Sequence, residues 1–328
     1  MNGLSVCMIV KNEENILETS LSSLNGIYDE LVILDTGSTD NTVSIAEKFT
    51  DKVYHTKWRD NFSWARNYAQ QFVSMSHTLT WDADYVLTQK SRSRLIDMKD
   101  KLLETDRIFV KWNSEVKNGV PQKSLARDMI YRSNSWKWVY PVHNALQWTE
   151  TRDPYEVFWN DIEIDHHKDR VIKNHRYHQT LKIIQRYLQD NPQDSRMRSM
   201  YANGLHFNGK IKDAVRQYEQ VLTEWSIDYN DSWAGVVELY IKALIQLKKV
   251  DKAQKVLTKS LSTLPYNIRL LLWKADFYVL EGSLQEAIPI YQYCINHPLK
   301  CEVGIATVDS NRHINYPKMM IEKLSLTH

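Results

Sequence analysis

The stretch Leu31-Val32-Ile33-Leu34-Asp35-Thr36-Gly37-Ser38-Thr39-Asp40 decides the fold of the first half of this chain. Its apolar run is too short for a helix and reads as a buried strand. Gly37 permits a tight turn straight after it. Ser38, Thr39 and Asp40 carry side-chain oxygens suited to a helix start, so Thr39 or Asp40 is the expected N-cap of a helix over Asp40 to Phe49. The same alternation recurs on both sides. Leu4 to Val10 is a second buried strand, and Asn15 to Leu24 has helical spacing at Ile16, Leu17, Leu21 and Leu24. Val53 to His55 is a short strand, Ser63 to Met75 a helix, and Leu79 to Trp81 leads into Asp82-Ala83-Asp84. Strands alternating with helices predict an α/β domain built on a parallel sheet. Ligands of such sheets bind beyond the carboxyl ends of the strands. The polar clusters Lys11-Asn12-Glu13, Asp35 to Asp40 and Asp82/Asp84 all fall there.

From about Asn160 the texture changes. Val171 to Gln189 is long, helical and basic. Beyond Pro192 a repeat emerges. Gly209, Ala214 and Tyr218 share a spacing with Gly282, Ala287 and Tyr291, and Lys248, Ala253 and Leu257 hold the same slots between them. A period near 34 residues, with alanine where helices cross, resembles tetratricopeptide repeats. The expected organisation is an α/β domain over 1–170, a linker helix over 171–192 and an all-α helical-repeat domain over 193–328.

Composition narrows the class. With 43% hydrophobic and 25% charged residues the chain is ordinarily globular, and a net charge of +2 does not by itself point to nucleic acid. Cys7, Cys294 and Cys301 form no zinc or disulfide pattern, which fits a reducing cytosol. No run approaches the roughly 18 apolar residues that span a bilayer. The N-terminal run lacks a basic flank and reads as a strand rather than a signal peptide, so a cytoplasmic protein is expected.

Asp82-Ala83-Asp84 places two carboxylates on one side of an extended segment, an arrangement suited to a hard divalent cation that also holds phosphates. Asp35, at a strand end, has a carboxylate that can accept a hydrogen bond from a nucleobase imide. Together, Val6 to Leu24, Asp35 to Asp40, Lys57-Trp58-x-x-Asn61-Phe62-Ser63-x-Ala65-Arg66-Asn67 and Asp82-x-Asp84 resemble family 2 glycosyltransferases of the GT-A fold. With the repeats behind it, the chain is similar to the branch containing the sublancin-type bacteriocin S-glycosyltransferases. The resemblance implies a Rossmann-like, metal-dependent, inverting hexosyltransferase that uses a UDP-sugar. Val10, Asn12, Glu13 and Asp35 would line the uridine pocket, and Arg66 would lie near the diphosphate. Asp82 would reach the ribose or a metal-bound water, and Asp84 would hold Mn²⁺ or Mg²⁺. In Ile162-Glu163-Ile164-Asp165-His166-His167, His166 best matches the histidine that completes the metal site, and an imidazole ligand would favour Mn²⁺.

The acceptor side departs from the family. Val142-His143-Asn144 stands where Val-His-Glu is usual, and asparagine cannot take a proton. His143, Asp128 or another carboxylate would replace the base, or the nucleophile would be acidic enough to need little help, as a thiol of pKa about 8.5 would be; weak or altered activity is the third option. Trp136, Trp138 and Tyr140 read equally well as acceptor-binding aromatics or as core. The expected acceptor is a peptide or protein side chain (Ser, Thr or Cys). A glycan, a lipid-linked group or modified DNA is the alternative, the last prompted by the basic run His166 to Arg186, which otherwise reads as a solvated helix. A non-catalytic repeat scaffold is the remaining reading. The repeats would dock the acceptor or pair two subunits as a homodimer.

Overall fold

A computed structural model describes residues 1–114, 116, 120–166, 173–224, 230–303 and 307–325, with side chains of 173–177 excepted. His167, Lys168, Arg170 and the expected start of the linker helix at 171–172 lie outside the described residues. The chain divides into two compact units, Met1–Val171 and Ile172–His328.

The first unit opens with β1 (Leu4–Val10), α1 (Leu17–Ser22), β2 (Glu30–Asp35), α2 (Thr42–Ala46), β3 (Val53–His55), α3 (Phe62–Gln70) and β4 (His77–Trp81). Then come β5 (Tyr85–Leu87), α4 (Gln89–Asp97), β6 (Arg107–Ser114), β7 (Lys123–Arg132), β8 (Trp136–Val139), β9 (Ala145–Trp148) and β10 (Glu156–His166). The main sheet of this unit runs β3-β2-β1-β4-β7-β6-β10-β5. The first four strands are parallel, as the alternation with helices predicts. Beyond them the sheet is mixed. β7 is antiparallel to both β4 and β6, and β5 is antiparallel to β10. Only the first half of the domain is therefore built of βαβ units.

The apolar runs belong to strands covered on both sides. In β1 and β2, Leu4, Val6, Met8, Val10, Leu31 and Ile33 face one core, while Cys7, Val32 and Leu34 face a second with Ala65 and Ala69 of α3. The helix expected over Asp40 to Phe49 is shorter, Thr42–Ala46, and Asn41 occupies its N-cap without a side-chain bond. Asp40 instead accepts from the Thr42 backbone N–H at 3.0 Å and its hydroxyl at 2.6 Å.

The second unit is built of helices, α5 (Lys173–Asp190), α6 (Ser195–Phe207), α7 (Ile211–Glu224), α8 (Asp231–Gln246), α9 (Val250–Thr263), α10 (Ile268–Leu280), α11 (Leu284–Asn296) and α12 (Tyr316–Ser325), and the all-α expectation misses one short strand, Val308–Asp309. Its repeat logic is visible at the turns. Gly209, Lys248 and Gly282 all adopt left-handed backbones, with φ of +74°, +59° and +78°. Ala214, Ala253 and Ala287 are fully buried where the paired helices cross, and Tyr218 and Tyr291 are buried beside them. Lys248 meets the backbone demand of its slot without glycine's freedom. Among the described residues, no helix is long and apolar enough to cross a membrane.

Candidate active site

The strand register brings the sequence motifs to one end of the sheet. Val10 is level with Asp35, Asp35 with His55, and Met8 with Trp81, so Asp82 and Asp84 emerge just beyond β4 beside the end of β1. Two loops there are tied together by side chains. Asn12, at φ +54°, accepts from the Thr39 N–H at 2.8 Å, and its own N–H donates to the Ser38 hydroxyl at 2.9 Å. The Glu13 N–H donates to the Thr42 hydroxyl at 2.7 Å. Asp35 is nearly buried and accepts from the N–H groups of Gly37 (3.0 Å) and Ser38 (3.1 Å), with His55 Nδ1 at 3.7 Å. Part of its carboxylate thus closes the turn that Gly37 makes at φ +104°.

Asn61 caps α3 by accepting from the Trp64 N–H. That places Arg66 on the buried side of α3, where Nη2 donates to Asp82 Oδ1 at 2.7 Å. Burial alone would push the Asp82 carboxyl up, but Arg66 and Arg127 outweigh it and hold the group at about 2. Arg66 is itself buried, and its Nε has no hydrogen-bond partner among the described residues.

Asp84 and His166 come together from elements far apart in sequence. His166 ends β10, paired with Tyr85 of β5 and Ser114 of β6. Its Nε2 lies 2.7 Å from Asp84 Oδ2, and its buried Nδ1 has no partner among the described residues. The ring is held by Trp112 at 4.7 Å and edge-on by Tyr85 at 5.5 Å. Among the described residues no cluster of three or more His, Cys, Asp or Glu groups suited to a metal is present.

The acceptor-side candidates lie elsewhere. Trp136 and Trp138 are buried in the β8–β9 hairpin core with Tyr131 and Leu146, so their role is packing. Their indole N–H groups are spent on the Asp106 carbonyl (2.9 Å) and the Tyr131 hydroxyl (3.1 Å). Tyr140 and His143 both take left-handed backbones, φ +69° and +48°, in the loop after β8, and His143 is exposed. Asn144 closes that loop by donating its side-chain amide to the Tyr140 carbonyl at 2.5 Å, a bond an ionised glutamate cannot make. Asp128, on β7, stands 3.4 Å from Arg107.

Sequence reading passed over Arg127. Its guanidinium lies 5.5 Å from the Tyr85 ring and 5.4 Å from the Trp112 ring, on the Asp82 side of β7. No motif contains it, and it enters the site only because β7 inserts antiparallel between β4 and β6.

The first unit is an α/β domain whose sequence motifs gather at the ends of β1, β2 and β4. Residues 5–145, most of the first unit, match the model of Glycosyl transferase family 2. A TPR repeat-containing protein of Synechococcus elongatus is 30% identical over 239 residues, 68% of this chain and 57% of that protein. The SPbeta prophage-derived glycosyltransferase SunS of Bacillus subtilis is 30% identical over 90 residues, 27% of this chain and 21% of that protein. The chain therefore spans little more than half the length of the first of these relatives. Among solved structures, S. aureus TarS 1-349 in complex with UDP-GlcNAc matches with a TM-score of 0.43 and 15% identity, covering 78% of this chain and 90% of that one.

Proposed function

We propose that this chain is a glycosyltransferase that moves a sugar from a UDP-sugar to a peptide or protein side chain, with inversion. The reading rests above all on one convergence: Asp35, the Arg66–Asp82 pair and the Asp84–His166 pair meet at the strand ends of a family 2 domain. A carboxylate has about four lone-pair sites, so Asp35 keeps acceptor capacity for a uracil imide after bonding Gly37 and Ser38. Asn12 and Glu13 wall the same pocket. Arg66 keeps Asp82 ionised and aimed, ready to accept from a ribose hydroxyl.

The donor set fits a divalent cation. A carboxylate oxygen and an imidazole nitrogen stand side by side at 2.7 Å, and among the described residues the ring's other nitrogen is buried without a partner. Asp84 and His166 would hold Mn²⁺ or Mg²⁺, which when bound supplies positive charge to the departing diphosphate. Asp82 is committed to Arg66 and would act through hydrogen bonds instead.

On the acceptor side, the exposed His143 is the base we assign for a Ser or Thr hydroxyl, whereas a Cys thiol of pKa about 8.5 needs little help. The test is donor hydrolysis. The full chain is incubated with a panel of UDP-sugars and Mn²⁺, with and without chelator, and UDP release is followed. Metal-dependent release that Asp84→Ala abolishes is expected. No release with any donor, together with no UDP binding by calorimetry, would sink the proposal.

A further inference from the structure

Asp82 has its direct partner in Arg66, at 2.7 Å. The charge of a second cation, Arg127, also helps to hold that carboxyl ionised. Arg127 projects from β7 and lies over Tyr85 and Trp112. Those two rings also fix His166, the neighbour of Asp84. One aromatic wall therefore carries both the imidazole and the guanidinium, on the side of the site where Asp82 and Asp84 emerge. Stacking engages the face of a guanidinium and leaves its five N–H donors in the plane. Arg127 is only partly buried, and its side chain makes no hydrogen bond or ion pair among the described residues. Such a forked donor set matches the geometry of phosphate oxygens.

Charge balance points the same way. Arg66 already matches Asp82, so Arg127 is not needed to neutralise that group. Its positive charge is available to an anion entering beside the two aspartates. Such an anion would otherwise be repelled by both carboxylates.

We propose that Arg127 binds the terminal phosphate of the donor's nucleoside diphosphate directly, through contacts that do not depend on the divalent cation. The inference rests on the UDP-sugar reading above and deepens it. In transfer, the acceptor's oxygen or sulfur bonds to the sugar's anomeric carbon and gives up its proton, while the bond from that carbon to the β-phosphate oxygen breaks and its electron pair goes to that oxygen. Arg127 would stabilise the charge that accumulates there.

The experiment is calorimetry of the full chain with UDP and with UMP, in Mn²⁺ and again in chelator, for the native protein, Arg127→Ala and Arg127→Lys. A charge-assisted phosphate contact corresponds to about tenfold or more in affinity. Arg127→Ala is expected to weaken UDP at least tenfold in both conditions while leaving UMP within about twofold. Arg127→Lys, which keeps the charge without the fork, should fall between the two. Equal losses for UMP and UDP would reduce the residue to a structural role and overturn the proposal. Unchanged UDP binding in Arg127→Ala would also overturn it, as would a native preference for UDP over UMP that disappears on chelation. Failure of the native protein to bind either nucleotide, with or without Mn²⁺, would instead overturn the donor-site reading and this inference with it.

Discussion

Replacing Arg66 with methionine keeps the length of the buried side chain and removes its charge. Asp82 then loses a 2.7 Å charge-assisted bond and the nearer of its two cations. The carboxyl sits at about 2 against an ordinary 3.8, although burial pushes it the other way. At 1.36 kcal/mol per pH unit, that depression is worth about 2.5 kcal/mol at neutral pH. Asp82 is 28% exposed, so solvent screens some of this. Arg127 and Tyr85 supply part of the depression, so a loss of about 1–2 kcal/mol is expected, below what breaking a fully buried pair costs. The sign follows from linkage. A depressed carboxylate stabilises the fold above its unfolded pKa and stops doing so as pH falls through the folded value. The gap between native and variant should therefore be full at pH 7 and shrink between about pH 4 and pH 2. Urea denaturation across that range, completed by Asp82→Asn and the double variant, measures it. Coupling below about 0.5 kcal/mol, or a gap that does not change with pH, would refute the reasoning.

The remaining predictions concern the turns, a buried glutamate and the site. Nothing lies within 4 Å of a Cβ built on Gly209 or Gly282, so Gly→Ala at either should cost about 1 kcal/mol from the left-handed backbone alone; Lys248→Gly should leave stability unchanged or raise it by up to about 1 kcal/mol in the same melting assay. Glu30, buried and bonded by Ser5, Lys52 and Ser74, is held at about 2 instead of 4.5, against the opposing pull of burial. Glu30→Gln should cost about 3 kcal/mol at pH 7, with the difference lost as pH drops from about 4.5 to 2, and a pH-independent cost in urea melts would contradict that account. His166→Ala should weaken Mn²⁺-dependent UDP binding in calorimetry at least tenfold while leaving the fold intact by circular dichroism; retention of the native metal dependence would remove His166 from the site.

Local pattern made the parallel half of the sheet legible. β1 has the ends expected for it, because a continuous apolar run signals a strand covered on both faces, and the half-buried β3 also keeps its expected ends. The helical repeats were legible for a related reason. Gly209, Lys248 and Gly282 mark turns with a fixed backbone demand, and the alanines mark close crossings. The mixed half of the sheet was not legible. β7 enters between β4 and β6 through pairings made across tens of residues, and no period in the sequence encodes which strand it joins. Arg127 was invisible for that reason, since its meaning comes from the rings beneath it. Trp136 and Trp138 show the converse: composition allowed a binding surface, and only the hairpin register shows that both indoles face inward.

The motif residues have work to do in the folded chain before any ligand arrives. Asn12, Ser38, Thr39, Asp40 and Thr42 bond across the two loops that follow β1 and β2, and Asp35 closes its own turn. Capping and ligand binding, which read as rival explanations of this stretch, are compatible, because a carboxylate that accepts two backbone N–H groups retains lone pairs and gains a fixed direction. The loops are thereby ordered by hydrogen bonds of the protein itself. A nucleotide entering a pocket so arranged meets acceptors already in place, so little of its binding energy goes into ordering the loops. At Asn144 the same economy works differently. Its amide is committed to the Tyr140 carbonyl, which holds the loop presenting His143 in a left-handed turn. Position 144 is here part of the scaffold. Restoring a carboxylate at 144 would remove that bond as well as add a base, so a gain in proton transfer would come with a looser acceptor loop.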